Sequence, residues 1–403
     1  MLINSLLRSI IFCCLLFTFY PDFLFSQSKS EYYNAPIDTV LTSKSLDKKE
    51  EITVILPREY NKNKLTKYPV IIVFDRQNKK EFREIFESIN YLVSFDGMPA
   101  SVIIGIKSEN NNNGRYLETS FLSSTKKAKG EQMEGFVFDE LIPWAETNFN
   151  TSKNRIFIGH SRFGYFSSYL LQDKLNDLTG VISCSPFFTD PNINIVDSLK
   201  LKLQKNSLSH MVYYRFITGD SVSDTKGYKL MKSALSGTSF KNFNWKGSEF
   251  YAANHFLTPG LSVMPSLLDI FEYWAKEIAD INTMDSLSFT ANDYEVFINK
   301  MKNHYGDKIG IGIAQLNGLG SAYYNHKRYD AAILAWEIML KDFPMFTNGY
   351  INIANAYKKK GMNEEASKNC SEALQQIKNN AFYSDEEKQA LIKEIKDLQN
   401  AND

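Results

Sequence analysis

The sequence predicts an α/β fold, a mostly parallel sheet with helices on both faces, followed by a small all-α C-terminal module. Two observations lead to this prediction. From about residue 50 onward, short apolar runs alternate with longer segments of helical periodicity. Between residues 313 and 380 the pattern changes to helices alone, and the sequence resembles itself at an offset of 34 residues.

The N-terminus has the layout of a signal peptide. Arg8 is followed by a largely apolar run over residues 9–19, and the chain turns polar after Gln27. This run is too short for a comfortable membrane span, which needs roughly 20 residues. We therefore expect residues 1–26 to be cleaved on export to the periplasm or the extracellular space, leaving a mature chain without a transmembrane span. An uncleaved membrane anchor is the competing interpretation.

The composition argues against nucleic-acid binding. The 46 Lys and Arg residues are balanced by 46 Asp and Glu residues, and no basic run occurs. Hydrophobic residues make up 43% of the chain, which is enough for a sizeable core. The histidines, cysteines and carboxylates show no metal-ligand spacing, and no glycine-rich phosphate loop is present. We therefore expect neither a metal nor a cofactor.

Continuous apolar runs predict the strands of the sheet in the first domain. These runs are rich in β-branched residues, which is typical of parallel strands buried on both faces. Helical spacing separates them and is clearest over residues 131–149, 165–171 and 261–278. The predicted strands, in chain order, are 52–56, 70–74, 101–105, 155–159, 180–184 and 212–217.

The repeat pattern sets the remaining boundaries. We assign residues 1–26 to the signal peptide, 27–282 to the α/β domain, 283–312 to a helical connector and 313–403 to the repeats with a capping helix. The recurrence resembles tetratricopeptide repeats, in which small residues let antiparallel helices approach closely. Generic helical hairpins are the alternative, and a protein partner is the expected ligand of such a surface. Leu319, Gly320, Tyr323, Ala332, Trp336 and Met339 recur as Ile353, Ala354, Tyr357, Ala366, Cys370 and Ala373.

The segment over residues 159–164 has the character of a catalytic turn. A buried strand ends at Gly159, Ser161 follows, and a helix begins at once. In a G-x-S-x-G nucleophile elbow the serine occupies a strained turn that raises its hydroxyl above the sheet. Here Phe163 holds the expected second glycine position and Gly164 follows it, so a serine that merely caps a helix is the alternative. The N–H of Arg162 would face an oxyanion at the helix N-terminus.

A base and an acid should follow this serine along the chain. His255 lies in a loop between the last predicted strand and the long final helix, where the order Ser, acid, His places the base. The acid should follow the strand that ends near Thr218, and Asp220 and Asp224 are both candidates. We favour Asp224, because the acid usually comes a few residues after the glycine, although either residue could instead cap the next helix.

Several segments together resemble the putative-esterase family of α/β-hydrolases, the esterase D and enterochelin-esterase group, over roughly residues 45–280. The resemblance implies an α/β-hydrolase fold and a serine carboxylic-ester hydrolase with a Ser-His-Asp triad and an acyl-enzyme intermediate. It also implies a second oxyanion donor after Asp75, the backbone N–H of Arg76 or Gln77. The segments are 67–75, 98–106 with 115–118, 140–144 and 182–186.

The resemblance leaves the substrate and two rival functions open. Small acyl esters, acylated carbohydrates and siderophore esters all suit the family. Arg76 stands where glycine is usual and, with Phe163, places a second side chain in the tightest part of the site. One rival is therefore a catalytically degenerate scaffold that binds ligands through its pocket and partners through its repeats. The other is an acyltransferase that uses the same triad.

Overall fold

The structure of the chain is a computed structural model that describes residues 32–109, 111–121, 127–188, 194–220, 222–283, 289–378 and 380–400. The predicted signal peptide, residues 1–26, lies outside the described residues. Tyr33–Asp403 forms one unit by its internal contacts. None of the helices in the described segments is both long and apolar enough to span a bilayer.

One sheet of eight strands organises the described part of the chain, with the order β1-β2-β4-β3-β5-β6-β7-β8. β2 is antiparallel to both neighbours, and all other pairs are parallel. The predicted mostly parallel sheet is therefore confirmed. The strands are β1 Ile37–Ser43, β2 Lys48–Ile55, β3 Tyr68–Val73, β4 Val102–Ile106, β5 Thr151–His160, β6 Gly180–Cys184, β7 Val212–Thr218 and β8 Phe243–Glu249.

Helices cover this sheet and continue beyond it. The predicted helix over residues 131–149 is an α-helix that passes through a π-helical segment, Phe136–Leu141, into a second α-helix. The helices are α1 Lys79–Ser94, α2 Asn112–Glu118, α3 Gly130–Gly135, α4 Ile142–Phe149, α5 Arg162–Asp173, α6 Ile195–Lys205, α7 Val222–Leu235, α8 Thr258–Thr283, α9 Ala291–Tyr305, α10 Ile313–Asn325, α11 Tyr329–Asp342, α12 Thr347–Lys359, α13 Asn363–Ile377 and α14 Asp385–Asn400.

The C-terminal region is entirely helical in its described residues, as predicted, and its helices pack in chain order. A Cβ added to Gly320 on α10 would lie 2.4 Å from Nε1 of Trp336 on α11, so these helices approach at a position that only glycine allows. At the positions 34 residues later, Ala354 and Cys370 share one buried cluster with residues of α14. The sequence period therefore marks positions of close helix contact, and the name tetratricopeptide repeat stays a prediction.

A buried polar junction joins these helices to the sheet domain. Asp342 at the end of α11 accepts hydrogen bonds from the Leu65 N–H and the Thr66 hydroxyl, both at 2.9 Å. Glu59 Oε2 accepts from the Ile313 N–H at 3.0 Å, and Lys64 Nζ lies 4.5 Å from the Phe343 ring centroid. The three charged side chains are buried, so the α/β part and the helical part share desolvated contacts.

Candidate active site at the carboxyl edge of the sheet

Ser161 occupies a strained turn between β5 and α5. Its backbone has φ 58° and ψ −117°, a conformation that residues other than glycine rarely adopt. Its N–H donates to the Cys184 carbonyl at 2.8 Å, which fastens the turn to the end of β6. Ser161 is the N-cap residue of α5, yet its side chain makes no capping hydrogen bond. The arrangement therefore has the form of a nucleophile elbow, and the helix-capping alternative lacks its defining contact.

The two glycines of the turn are required by close approach of the backbone. A Cβ on Gly159 would lie 2.2 Å from the Phe163 carbonyl oxygen, and a Cβ on Gly164 would lie 3.0 Å from the Cys184 carbonyl oxygen. Phe163 points into the core, where its ring stacks on Phe74 with centroids 5.0 Å apart. The one-residue shift of the second glycine is thus accompanied by burial of the Phe163 side chain in the core.

His255 lies in the loop between β8 and α8, beside the elbow. Nε2 of His160, the residue before Ser161, is 2.9 Å from the His255 carbonyl oxygen, and the two imidazole centroids are 4.7 Å apart. The Thr258 hydroxyl also donates to this carbonyl at 3.1 Å and pairs with the Ser185 hydroxyl at 3.0 Å. The structure therefore brings the segments of the predicted nucleophile and base together at one edge of the sheet.

The loop after β7 contacts the loop that carries His255. The Asp220 N–H donates to the Ala253 carbonyl at 2.8 Å, and a Cβ on Gly219 would lie 2.1 Å from the same oxygen. The Asp220 side chain is exposed. Asp224 lies in the first turn of α7, and its side chain falls outside the described atoms. The Asp220 backbone is therefore hydrogen-bonded to the histidine loop, and the choice between the two candidate acids stays open.

The loop after β3 corrects one predicted oxyanion donor. The Arg76 N–H donates to the Ile106 carbonyl at 3.0 Å and is therefore engaged in the β3–β4 edge. Its guanidinium lies 3.5 Å from Asp38 and 3.9 Å from Glu51, which carries the side chain toward β1 and β2. Arg76 is thus the wrong donor, because its N–H is already hydrogen-bonded. Gln77 is the remaining candidate in this loop.

A buried network ties this loop to the elbow. Arg115 Nε donates to Asp75 at 2.8 Å, and its Nη2 donates to the His160 carbonyl at 3.1 Å. The Gln77 amide nitrogen donates to Asp75 at 2.9 Å and to the Ser108 hydroxyl at 2.7 Å. Asp75 and Ser108 are buried. The network fixes the position of the Gln77 loop relative to the end of β5. The sequence indicated this network only through the segment that contains Arg115.

Three further observations concern the surroundings of the elbow. Burial raises the pKa of the Cys184 thiol to about 12, so this sulfur stays protonated beside the elbow at neutral pH. Arg162 is the first residue of α5, so its backbone N–H lies at the helix N-terminus, where the helix dipole favours negative charge. Within the described segments, no group of three or more His, Cys, Asp or Glu side chains is arranged to hold a metal ion.

Comparison with known proteins gives one family match and several similar folds. Residues 43–241 match the model of a family described as Putative esterase. No curated protein matches the chain. An IroE-like serine hydrolase from Shewanella oneidensis is 16% identical, with a TM-score of 0.60 over 76% of this chain and 99% of that one. An uncharacterised protein from Capnocytophaga ochracea is 15% identical, with a TM-score of 0.57 over 91% of this chain and 99% of that one.

These likenesses differ in what they establish. At such identities the solved structures show the fold, an α/β-hydrolase-like sheet, and the Capnocytophaga match covers so much of the chain that it includes part of the C-terminal helices. The family match supports an esterase-type hydrolase. It contains Ser161 and both candidate acids and ends before His255, so the choice of base depends on geometry.

Proposed function

We propose, with the esterase-family match over residues 43–241 as the premise, that this chain is a serine hydrolase that cleaves carboxylic esters. Ser161 is the nucleophile, His255 the general base, and Asp224 or Asp220 the acid that orients the histidine. One observation carries the proposal. Ser161 lies at positive φ in a strand-to-helix turn and makes no capping hydrogen bond, and the His255 carbonyl is hydrogen-bonded to His160, the residue before Ser161.

The reaction follows from these positions. The Ser161 hydroxyl attacks the ester carbonyl while His255 removes its proton, and the N–H groups of Arg162 and Gln77 stabilise the tetrahedral oxyanion. The intermediate collapses to an acyl-enzyme, and His255 returns the proton to the departing alcohol. Water then attacks the acyl group, the same histidine removes its proton, and the carboxylic acid leaves as Ser161 is regenerated.

The substrate we propose is a small-molecule ester with an apolar or aromatic group. Phe256, next to His255, is 76% exposed, and Tyr251 in the same loop is 82% exposed. A groove of about 570 Å³ opens beside Asp220 and is lined by Tyr251, Lys226 and Lys229 among others. Siderophore esters and acylated carbohydrates both combine such groups with polar ones, and they remain the two substrate classes to test first.

The rival functions have distinct signatures. The scaffold hypothesis depended on the side chains at positions 76 and 163; the Arg76 guanidinium lies near Asp38 and the Phe163 ring packs on Phe74, which supports an open catalytic site. Acyl transfer to an alcohol uses the same triad and would give a new ester when alcohols compete with water. Export after cleavage of residues 1–26 is part of the proposal, and the N-terminal sequence and location of the mature chain would test it. Binding of a protein partner by the C-terminal helices is a separate part of the proposal.

The test is hydrolysis of p-nitrophenyl acetate and butyrate by the mature chain, with Ser161→Ala and His255→Ala beside it. We expect turnover by the wild type and a fall to the background rate in both variants. Turnover that persists in Ser161→Ala would rule out the mechanism. Asp220→Asn and Asp224→Asn identify the acid, because only the true acid should lower kcat by several orders of magnitude, as in the known serine proteases.

A further inference from the structure

His160 and Glu81 form a pair directly behind the histidine loop. His160 ends β5 and is 5% exposed, and the Glu81 side chain in the first turn of α1 is 11% exposed. Each imidazole nitrogen of His160 meets an oxygen: Nδ1 lies 3.1 Å from Glu81 Oε2, and Nε2 lies 2.9 Å from the His255 carbonyl oxygen. The pair thus links α1, through the residue beside Ser161, to the backbone of the proposed base.

The chemistry of these contacts fixes where the protons lie. A carbonyl oxygen can only accept, so Nε2 of His160 must carry a hydrogen and donate it to His255. Nδ1 and the Glu81 carboxyl then share one proton, either as imidazolium against carboxylate or as a neutral ring that accepts from the protonated acid. Both arrangements keep the Nε2–H. The remaining tautomer would set a nitrogen lone pair against the His255 carbonyl oxygen, which is repulsive.

We propose that Glu81 and His160 are positioning residues for His255, an inference that rests on the proposed hydrolase function. The Nε2–H bond holds the loop at His255 itself, while the Asp220 N–H holds it two residues earlier at Ala253. On the opposite side, the His160 carbonyl is held by Arg115. The backbone of the proposed base is therefore held by hydrogen bonds to the end of β5, the strand that precedes the proposed nucleophile.

Such positioning matters because proton transfer requires the base within hydrogen-bond reach of the serine hydroxyl. A catalytic group displaced by about 1 Å loses on the order of 100-fold in rate. The effect of removing the pair should appear in kcat, since the substrate-binding surface is untouched. Another side chain at position 81 should take over the role of Glu81 if it bonds to Nδ1 of His160 and leaves the hydrogen on Nε2.

Three variants separate this role from simple packing. His160→Phe keeps the size of the ring and removes the donor. Glu81→Ala leaves Nδ1 without its partner, so the ring loses one of its two hydrogen-bonded anchors and can turn away from the His255 carbonyl. Glu81→Gln offers an amide N–H to Nδ1 and so restores the Nε2–H on a neutral ring. Glu87→Ala, an exposed carboxylate on the same helix, is the matched control.

On p-nitrophenyl butyrate we expect His160→Phe and Glu81→Ala to lower kcat about 10- to 100-fold, by analogy with the loss when a residue that orients a metal-bound histidine is removed. KM should stay within about threefold, since binding contacts remain. Glu81→Gln should recover most of the lost kcat, and Glu87→Ala should match the wild type. A Glu81→Gln variant as slow as Glu81→Ala, or wild-type kcat in both Glu81→Ala and His160→Phe, would overturn the proposal.

Amide hydrogen exchange over residues 250–257 provides a readout that is independent of turnover. We expect faster exchange in His160→Phe and Glu81→Ala and wild-type rates in Glu81→Gln. If the wild type hydrolyses no ester, the proposed function fails, while the exchange rates still decide whether the pair positions this loop. Unchanged exchange in both disrupting variants would refute the inference. If His160→Phe does not fold, the two Glu81 variants decide alone.

Discussion

The backbone of Phe163 packs directly against Gly159: a methyl group on Gly159 would lie 2.2 Å from the Phe163 carbonyl oxygen. This contact presses the first turn of α5 against the end of β5 and holds Ser161 at positive φ between them. The strain in the turn depends on this contact, because only glycine allows the helix to start so close to the strand.

Gly159→Ala should therefore destabilise the chain and inactivate it together. Because the clashing atom belongs to the backbone and cannot rotate away, we expect a loss at or above the upper end of the ~1–3 kcal/mol typical of overpacking. Urea denaturation measures the loss. Gly318→Ala is the control, since a Cβ there meets nothing within 4 Å on a helix, where alanine should be neutral or slightly stabilising. Equal stability of the two variants would contradict the account of the elbow.

Arg115→Gln should cost both stability and activity. It leaves the buried Asp75 carboxylate without its cation and releases the His160 carbonyl. Removing one partner of a buried pair costs about 3–5 kcal/mol, and the partial exposure of Arg115 places the expectation at the low end. In a double-mutant cycle with Asp75→Asn, the combined loss should be well below the sum of the single losses. Additive losses would show that the two side chains do not act as a pair.

Asp342→Ala should weaken the junction between the helices and the sheet domain. The change removes the acceptor of the Leu65 N–H and the Thr66 hydroxyl in a buried place, at about 1–3 kcal/mol for each group left unsatisfied. Asp330→Ala on the same helix is the control, because that side chain is 86% exposed. We expect a lower urea midpoint for Asp342→Ala alone. Indistinguishable midpoints would mean that the junction contributes nothing to stability.

Stability should fall between pH 6.5 and pH 4 because of His304. Burial lowers the pKa of His304 from 6.5 to about 4, and its Nε2 lies 2.7 Å from the Tyr213 hydroxyl. The folded chain therefore disfavours the charged ring, so this contribution to stability is complete above pH 6.5 and is lost as the pH falls toward 4. The loss is below about 1.4 kcal/mol per pH unit, since the ring is partly exposed.

Urea denaturation at pH 7, 6 and 5 measures this dependence. His304→Phe should flatten the fall in stability relative to the wild type, and His326→Gln, at an exposed position, should leave it unchanged. A wild-type slope that persists in His304→Phe would assign the pH dependence to other groups.

The sequence predicts the buried strands and fails at the edges of the sheet. β3 and β4 are buried along their whole lengths and read as continuous apolar runs, which periodicity detects. β1 is largely exposed and was not predicted, because its alternating pattern carries little apolar signal. The helix contacts near Gly320 were predictable, since repetition of small residues marks close approach.

At the site, chain order selected Ser161 and His255 as candidates, while the other contacts depend on strand register and on long-range packing. The Arg76 N–H is occupied because β3 and β4 align so that it faces the Ile106 carbonyl, which no local pattern encodes. Glu81 reaches His160 across 79 residues of chain, and a single glutamate on an amphipathic helix looks like any solvated residue. Contacts of this kind become visible only when the fold is known.

The central claim is that Ser161 is a nucleophile activated by His255. Labelling of the intact chain with a fluorophosphonate, followed by peptide mass spectrometry, tests it most directly. We predict a single adduct on Ser161, absent in Ser161→Ala and formed at least about 100-fold more slowly in His255→Ala, as expected when the activating base is lost. An adduct on another residue, or labelling of Ser161 at the wild-type rate in His255→Ala, would contradict the claim.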